Sequence, residues 1–313
     1  MSIKMVWSLC LVGWVVLVAA PVAEAQPAPG TTMSSNARYG GGRGFRVRTK
    51  ATAAGKARVE LQRLGAGLAA QGAPAKVYEG PPVLTALAVR DDAVLVPLIG
   101  GGRQPFVRFA VTKLDAQGAP VGSPTILDAT ARRQGKDSDP SAVVACPDPQ
   151  GFTVLWQEQR ITAGRADAVT YMVRISPQGT WVQEAQVVQV PWALGAIAYT
   201  GATYHLAIFF DGAKPDQTRL CFVTLDAGGR PQQHPWWASR PQLIDEVQLM
   251  PISGGVSAHF RGGPQGTSLR SVRVTSIGQW GAQPAPAKDH GAIAMNQDFA
   301  LRLGSGGVVE VVR

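Results

Sequence analysis

The chain has 313 residues, with 30 Lys and Arg against 21 Asp and Glu, and a formal charge of +9. Charged residues are only 16% of the total, while 36 Gly and 23 Pro punctuate runs rich in Val, Ile, Thr and aromatics. Glu/Lys-rich helical stretches are absent, which excludes a helix-built fold and points to an all-β chain.

The N-terminus reads as an export signal over residues 1–25. Lys4 supplies the positive start, Val6 to Ala20 the apolar run, and Ala23-Glu24-Ala25 a small-residue cleavage site. The apolar run is shorter than the roughly 20 residues a membrane span needs, and an uncleaved anchor is the alternative. No later segment is long and apolar enough to span. The mature chain is therefore expected to be secreted or periplasmic.

Residues 26–56 read as a flexible arm, because Gly, Ser, Thr, Ala and Pro bury too little apolar surface to offset their ordering entropy. From Arg38 to Arg58 there are seven basic residues and no acid. Arg43, Arg46, Arg48 and Lys50 are accordingly candidate contacts for a polyanion, with a solvated tether as the plainer reading. Gly40-Gly-Gly-Arg-Gly has neither the preceding strand nor the following helix of a phosphate loop, and no specific nucleic-acid partner is expected.

Residues 57–313 carry a repeat. Hairpin signatures are centred on Gly72, Gly118, Gly179, Gly229 and Gly278, as in Leu114-Asp-Ala-Gln-Gly118-Ala-Pro120 and Leu225-Asp-Ala-Gly-Gly229-Arg-Pro231. Spacing near 50 residues suits propeller blades of four strands. A second periodic feature is a run of small apolar residues, at Thr85–Val89, Ser141–Ala145, Gly195–Tyr199 and Gly291–Met295, with a less regular copy at Glu246–Met250. Strands converging on an axis are crowded and favour Ala and Gly. Each such run is followed by a bulkier strand, among them Phe152–Trp156, Tyr204–Phe210 and Phe299–Leu303. The cycle starts in mid-repeat, so Arg58–Leu64 lacks inner partners and the C-terminus lacks outer ones. The expected fold is all-β, a five-bladed propeller closed by joining N- and C-terminal strands, with six blades or an open twisted array as alternatives. These hairpins resemble those of secreted bacterial β-propeller repeat proteins, a class that includes binding proteins, adhesins and glycosidases and so leaves function open.

Chemistry is sparsely signalled. Acids near inner or second strands are Asp91, Asp92, Glu158, Asp211, Asp245, Glu246 and Asp298, without a common repeat position. Glu158 stands out because Trp156-Gln-Glu158-Gln-Arg160 sets an acid and a base beside an indole. His205 and His259, each four residues after a turn Gly, are candidates to share a ligand between neighbouring blades, or to cap hydrogen bonds there. Trp237, next to Trp236, is a candidate sugar- or peptide-stacking indole. Cys146 and Cys221 either pair in an oxidising compartment or serve as buried hydrophobes. No metal set or cofactor motif is present. The leading expectation is an exported, non-catalytic scaffold that binds a glycan, peptide or envelope protein. The alternative is a carbohydrate-active enzyme using Glu158 with a second acid near the axis.

Overall fold

The computed structural model describes residues 28, 30–40, 42–52, 55–101, 105–130, 138–162, 165–210, 218–232, 236–237, 243–263, 268–275, 288–293, 297–303 and 308–313. The signal and the first residues of the arm lie outside these. Five antiparallel sheets follow one another along the chain. Blade 1 holds β1 (Thr32–Gly40), β2 (Arg43–Ala51), β3 (Ala57–Leu64) and β4 (Ala70–Gly80). Blade 2 holds β5 (Val83–Thr85) and β6 (Ala88–Val89), both paired to β7 (Ala93–Gly100), then β8 (Phe106–Leu114) and β9 (Pro120–Asp128). Blade 3 runs through β10 (Ser138–Asp148), β11 (Gly151–Thr162), β12 (Arg165–Ile175) and β13 (Trp181–Val188). Blade 4 is β14 (Ala193–Tyr199), β15 (Tyr204–Phe210), β16 (Arg219–Leu225) and β17 (Trp236–Trp237). Blade 5 is β18 (Leu243–Ile252), β19 (Gly255–Gly263), β20 (Ser268–Thr275) and β21 (Lys288–Ala292). A two-stranded hairpin of β22 (Ala300–Leu303) and β23 (Val309–Val312) ends the chain.

The first strand of each blade lines the axis, and β10 packs on β14 as β14 does on β18. The small-residue runs at Thr85, Ser141, Gly195 and Glu246 all fall on these inner strands. The copy at Gly291 does not. It lies on β21, the fourth strand of blade 5, where Ala292 is exposed. Small residues in a strand signal crowding only where the strand is inner; on an outer strand they signal nothing. Phe299–Leu303, expected as a second strand, instead supplies the inner strand β22.

The arm also needs correction from Thr32 onward. Its Ser34-Ser35-Asn36-Ala37 run is β1, and the basic stretch from Arg43 is β2, with Val47 opposite both Asn36 and Leu61. The inner partners missing from Arg58–Leu64 are thus supplied by the chain just upstream. Phe45 and Val47, both fully buried, join Val59 and Leu61 in the core between blades 1 and 2.

Interfaces between successive blades are apolar. Phe109, Phe152 and Trp156 pack between blades 2 and 3, Leu155, Leu206 and Cys221 between 3 and 4, and Ala207, Phe222 and Phe260 between 4 and 5. Middle strands are buried on both faces, so β7 (Ala-Val-Leu-Val-Pro-Leu-Ile-Gly) is apolar throughout rather than alternating. The outer β9 alternates loosely and is mostly exposed. Cys146 and Cys221 are unpaired and act as buried hydrophobes.

The repeated turns link the third and fourth strands. Gly118, Gly179 and Gly229 have φ of 78°, 77° and 77°, and each N–H returns to the carbonyl three residues back, at Asp115, Ser176 and Asp226. Side chains at that first position accept a second amide, Asp115 from Ala119 at 2.7 Å and Asp226 from Arg230 at 2.9 Å. In blade 1 the turn is instead Gly65–Ala69, with Gly72 inside β4. Gly278 lies outside the described residues.

The ring closes where the chain ends meet. Here β22 packs between β1 and β18 by side chains, without a ladder to either among the described residues. Ala300 and Val312 meet Ala37, Leu64 and Leu68 on one side, and Leu301, Val309 and Val311 meet Leu269 and Ile293 on the other. Two strands do the work of four at this closure.

Candidate active site

The thin closure brings charged side chains to the axis. Inner strands begin at what we call the upper face, and Asp298 and Glu246 both lie near that end, just before β22 and early in β18. A register shift between Ile244 and Glu246 interrupts the β18 ladder at this point. Asp298 is approached from blade 1: Arg46 Nε lies 2.6 Å from its Oδ2, and Ser35 Oγ donates to the same oxygen at 3.0 Å. Glu246 is held from its own blade: Arg261 donates to Oε2 at 2.8 Å and Gln248 to Oε1 at 2.9 Å. The same Gln248 nitrogen donates at 2.7 Å to the carbonyl of Phe299, the residue after Asp298, so one amide ties the two acidic positions together. Arg38 approaches Glu246 Oε1 at 4.0 Å. Burial lowers the pKa of both Arg38 and Arg46, opposed by Glu246 and Asp298 respectively.

The contacts of Asp298 are asymmetric. Both fall on Oδ2, and the side chain is 15% exposed. Glu246 by contrast has both oxygens engaged. An open groove of about 530 Å³ lies between blades 1 and 2, lined by Met33, Ser34, Pro82, Leu84 and Pro140 and by none of the residues of this cluster.

The residues singled out from sequence are not gathered at this mouth. Trp156 is fully buried, stacked on Tyr171 at 4.9 Å, and donates to Glu158 Oε1 at 3.1 Å; Glu158 is likewise fully buried. This pair belongs to the interior of blade 3, and its indole offers no face to a sugar. His205 and His259 are buried too, and burial lowers both pKa values. Tyr204 pairs with Leu225 as Val256 pairs with Val274, which aligns His259 with Ala207 rather than with His205. His205 faces blade 5 with Ala207, whereas His259 faces the closure beside His290, 5.3 Å between rings. They cannot share one ligand. The backbone of Trp237 forms β17, and its side chain lies outside the described residues.

The basic residues are committed within the fold. Arg43 donates to the carbonyls of Asp91 and Ala116 in blade 2, Arg46 pairs with Asp298, and Lys50 pairs with Glu60 at 2.8 Å. Arg48 lies half-buried on β2. Among the described residues no group of three or more His, Cys, Asp or Glu is placed to hold a metal ion. The sequence named Glu246 and Asp298 among seven acids; only the closure, formed by strands far apart in the chain, links their positions, through Gln248.

No protein-family model and no curated protein matches the chain. Among solved structures, it is similar to a thermostable family-43 glycoside hydrolase at 9% identity, covering 83% of this chain and 98% of that one, with a TM-score of 0.49. It is also similar to a xylan β-1,4-xylosidase from Bacillus halodurans at 13% identity and a TM-score of 0.48, covering 72% of this chain but only 47% of that enzyme. The parainfluenza virus 5 hemagglutinin-neuraminidase ectodomain follows at 9% identity, 84% and 74% coverage, and a TM-score of 0.46. The propeller itself is read from the sheet order. The leading expectation of a non-catalytic scaffold is not upheld: glycoside hydrolases recur among the similar structures, and none of their activity is carried over to this chain. At these identities the chemistry has to be argued from the residues.

Proposed function

We propose that the chain is a carbohydrate-active propeller that cleaves glycosidic bonds at the upper mouth of its axis. One observation carries this reading: Asp298 is fixed through one oxygen by Arg46 and Ser35, and Gln248 links the backbone beside it to a second carboxylate, Glu246. Glycoside hydrolysis requires a proton for the leaving oxygen, a carboxylate that activates water or attacks, and negative charge near an oxocarbenium-like transition state. Asp298 would take the proton of the attacking water, and the leaving oxygen would take its proton from solvent. Glu246, with both oxygens held, supplies fixed negative charge rather than a mobile proton.

The test is release from a panel of aryl glycosides and oligosaccharides by the unmodified chain, Asp298→Asn and Glu246→Gln. Asp298→Asn is expected to lower kcat by about 10³-fold and Glu246→Gln by about 10²-fold, with circular dichroism unchanged. Turnover undiminished by Asp298→Asn, or no turnover by the unmodified chain on any member, overturns the proposal.

A further inference from the structure

A second cavity occupies the axis toward the opposite, lower face. Its volume is about 190 Å³, and its lining is apolar apart from a few groups, with Arg38 the one charged residue. At roughly 30 Å³ per water, that space holds about six waters or one six-membered ring. Pro147 and Pro251 are exposed at its mouth. Its two tyrosine rings are pinned: the Tyr39 hydroxyl donates to the Gly65 carbonyl at 2.8 Å and that of Tyr199 to the Gly201 carbonyl at 2.7 Å. The walls are therefore set before anything binds.

The Arg38 guanidinium, on a side chain 24% exposed, is only partly compensated by protein groups. Arg38 donates to the carbonyl of its neighbour Ala37 at 3.0 Å, and among the described residues the acid oxygen that approaches it, on Glu246, stands at 4.0 Å. By comparison, Arg46 and Arg261 hold their acids at 2.6 Å and 2.8 Å. A second polar group lining the cavity is also incomplete, since the oxygen Oε1 of Gln248, a residue only 1% exposed, has no hydrogen-bond partner. A charged group taken out of water needs a partner close by, and a planar guanidinium matches a carboxylate through two parallel bonds.

We propose that this axial cavity binds a small ring-bearing monocarboxylate, its carboxylate on Arg38 and its ring against Tyr39, Tyr199 and Met250. A hydroxyl or ring N–H on the ligand would meet Gln248 Oε1. The cavity shares Arg38 and Gln248 with the Glu246 cluster but is not lined by Asp298, and binding in it does not depend on catalysis there. Free neutral sugars lack the anion and phosphate lacks the ring, so both are poor fits.

Calorimetric titration of the full chain with benzoate and with benzamide tests the idea. Benzoate is expected to bind at least tenfold more tightly than its neutral isostere, 4-hydroxybenzoate more tightly still, and Arg38→Met to abolish the difference. Equal binding of benzoate and benzamide, or no binding of either, overturns the proposal on the unmodified chain alone, even should the Arg38→Met variant fail to fold. Binding of benzoate undiminished in a folded Arg38→Met variant also overturns it. Asp298→Asn should leave benzoate affinity unchanged, which separates this site from the hydrolytic one.

Discussion

Replacing the buried Asp148 by Ala should cost the fold about 3 kcal/mol of stability. Asp148 closes β10, and its side chain is fully buried. It accepts from Thr153 Oγ1 at 2.6 Å and Arg174 Nε at 3.2 Å in blade 3, and from the Tyr204 hydroxyl at 3.1 Å in blade 4. Its other carboxylate oxygen accepts the Gln150 amide at 2.8 Å, and its backbone carbonyl accepts from Arg90 of blade 2. One residue thus joins three blades. Burial alone would raise the Asp148 pKa, but the Thr153 bond, Arg174 and the Gln150 amide outweigh it and hold it below the ordinary value. Removing one partner of a buried ion pair costs about 3–5 kcal/mol because the other charge is left unpaired. Arg174 keeps some water access, with 16% of its side chain exposed, so about 3 kcal/mol applies. For a domain of this size that lowers Tm by roughly 6–12 °C. Calorimetric and urea melts of Asp148→Ala, Arg174→Met and the double variant measure it, and the double variant should lose less than the sum. A loss below about 1 kcal/mol, or strict additivity, would refute the reasoning. Because the folded pKa is depressed, this stabilisation is complete above about pH 4 and disappears as pH falls through the folded value.

Other consequences can be checked with the same melts. His259 is held near pKa 4 by burial and then by His290, so the folded state resists its protonation. Stability should be full above about pH 6.5 and fall as pH drops toward 4; a His259→Gln variant with an unchanged slope across that window would contradict this. Trp156→Ala removes a fully buried indole stacked on Tyr171 and should cost about 3–5 kcal/mol, and a variant melting within about 1 kcal/mol of the parent would place that indole elsewhere. Gly229→Ala should destabilise more than Gly201→Ala. Both have positive φ, but at Gly229 a Cβ would meet Val188 and Met172 within 2.7 Å, whereas at Gly201 it meets nothing within 4 Å. The reverse order would refute the turn geometry.

The fold was legible in the sequence wherever a repeat carried two signals at once. Gly118, Gly179 and Gly229 adopt one φ because Asp or Ser three residues earlier organises the same turn, and that chemistry is local. The small-residue runs succeeded on β10 and β14, where apolar neighbours marked them as strands. They failed on β1, because Ser34-Ser35-Asn36 looks like a polar arm until it is known that blade 2 and the closing hairpin cover it. Small size reads as disorder when no wall is visible and as crowding when one is. The site was legible only as a set of isolated acids. Asp298 and Glu246 are 52 positions apart in sequence, and Arg46 is some 250 from Asp298, so no spacing rule connects them. The pair that attracted notice, Trp156 and Glu158, stood out by adjacency on one strand, and alternation turns both toward the interior of the blade stack.

Hydrogen exchange over residues 32–51 is the most direct check on this account. If β1 and β2 form the inner half of a blade, the amides of Val47 and Phe45 should be protected as strongly as those of Val154 and Leu155 in β11. Exchange of the 32–51 segment at the rate of an unstructured peptide, with the rest of the ring protected, would contradict the axis, the closure and the position of Asp298 together.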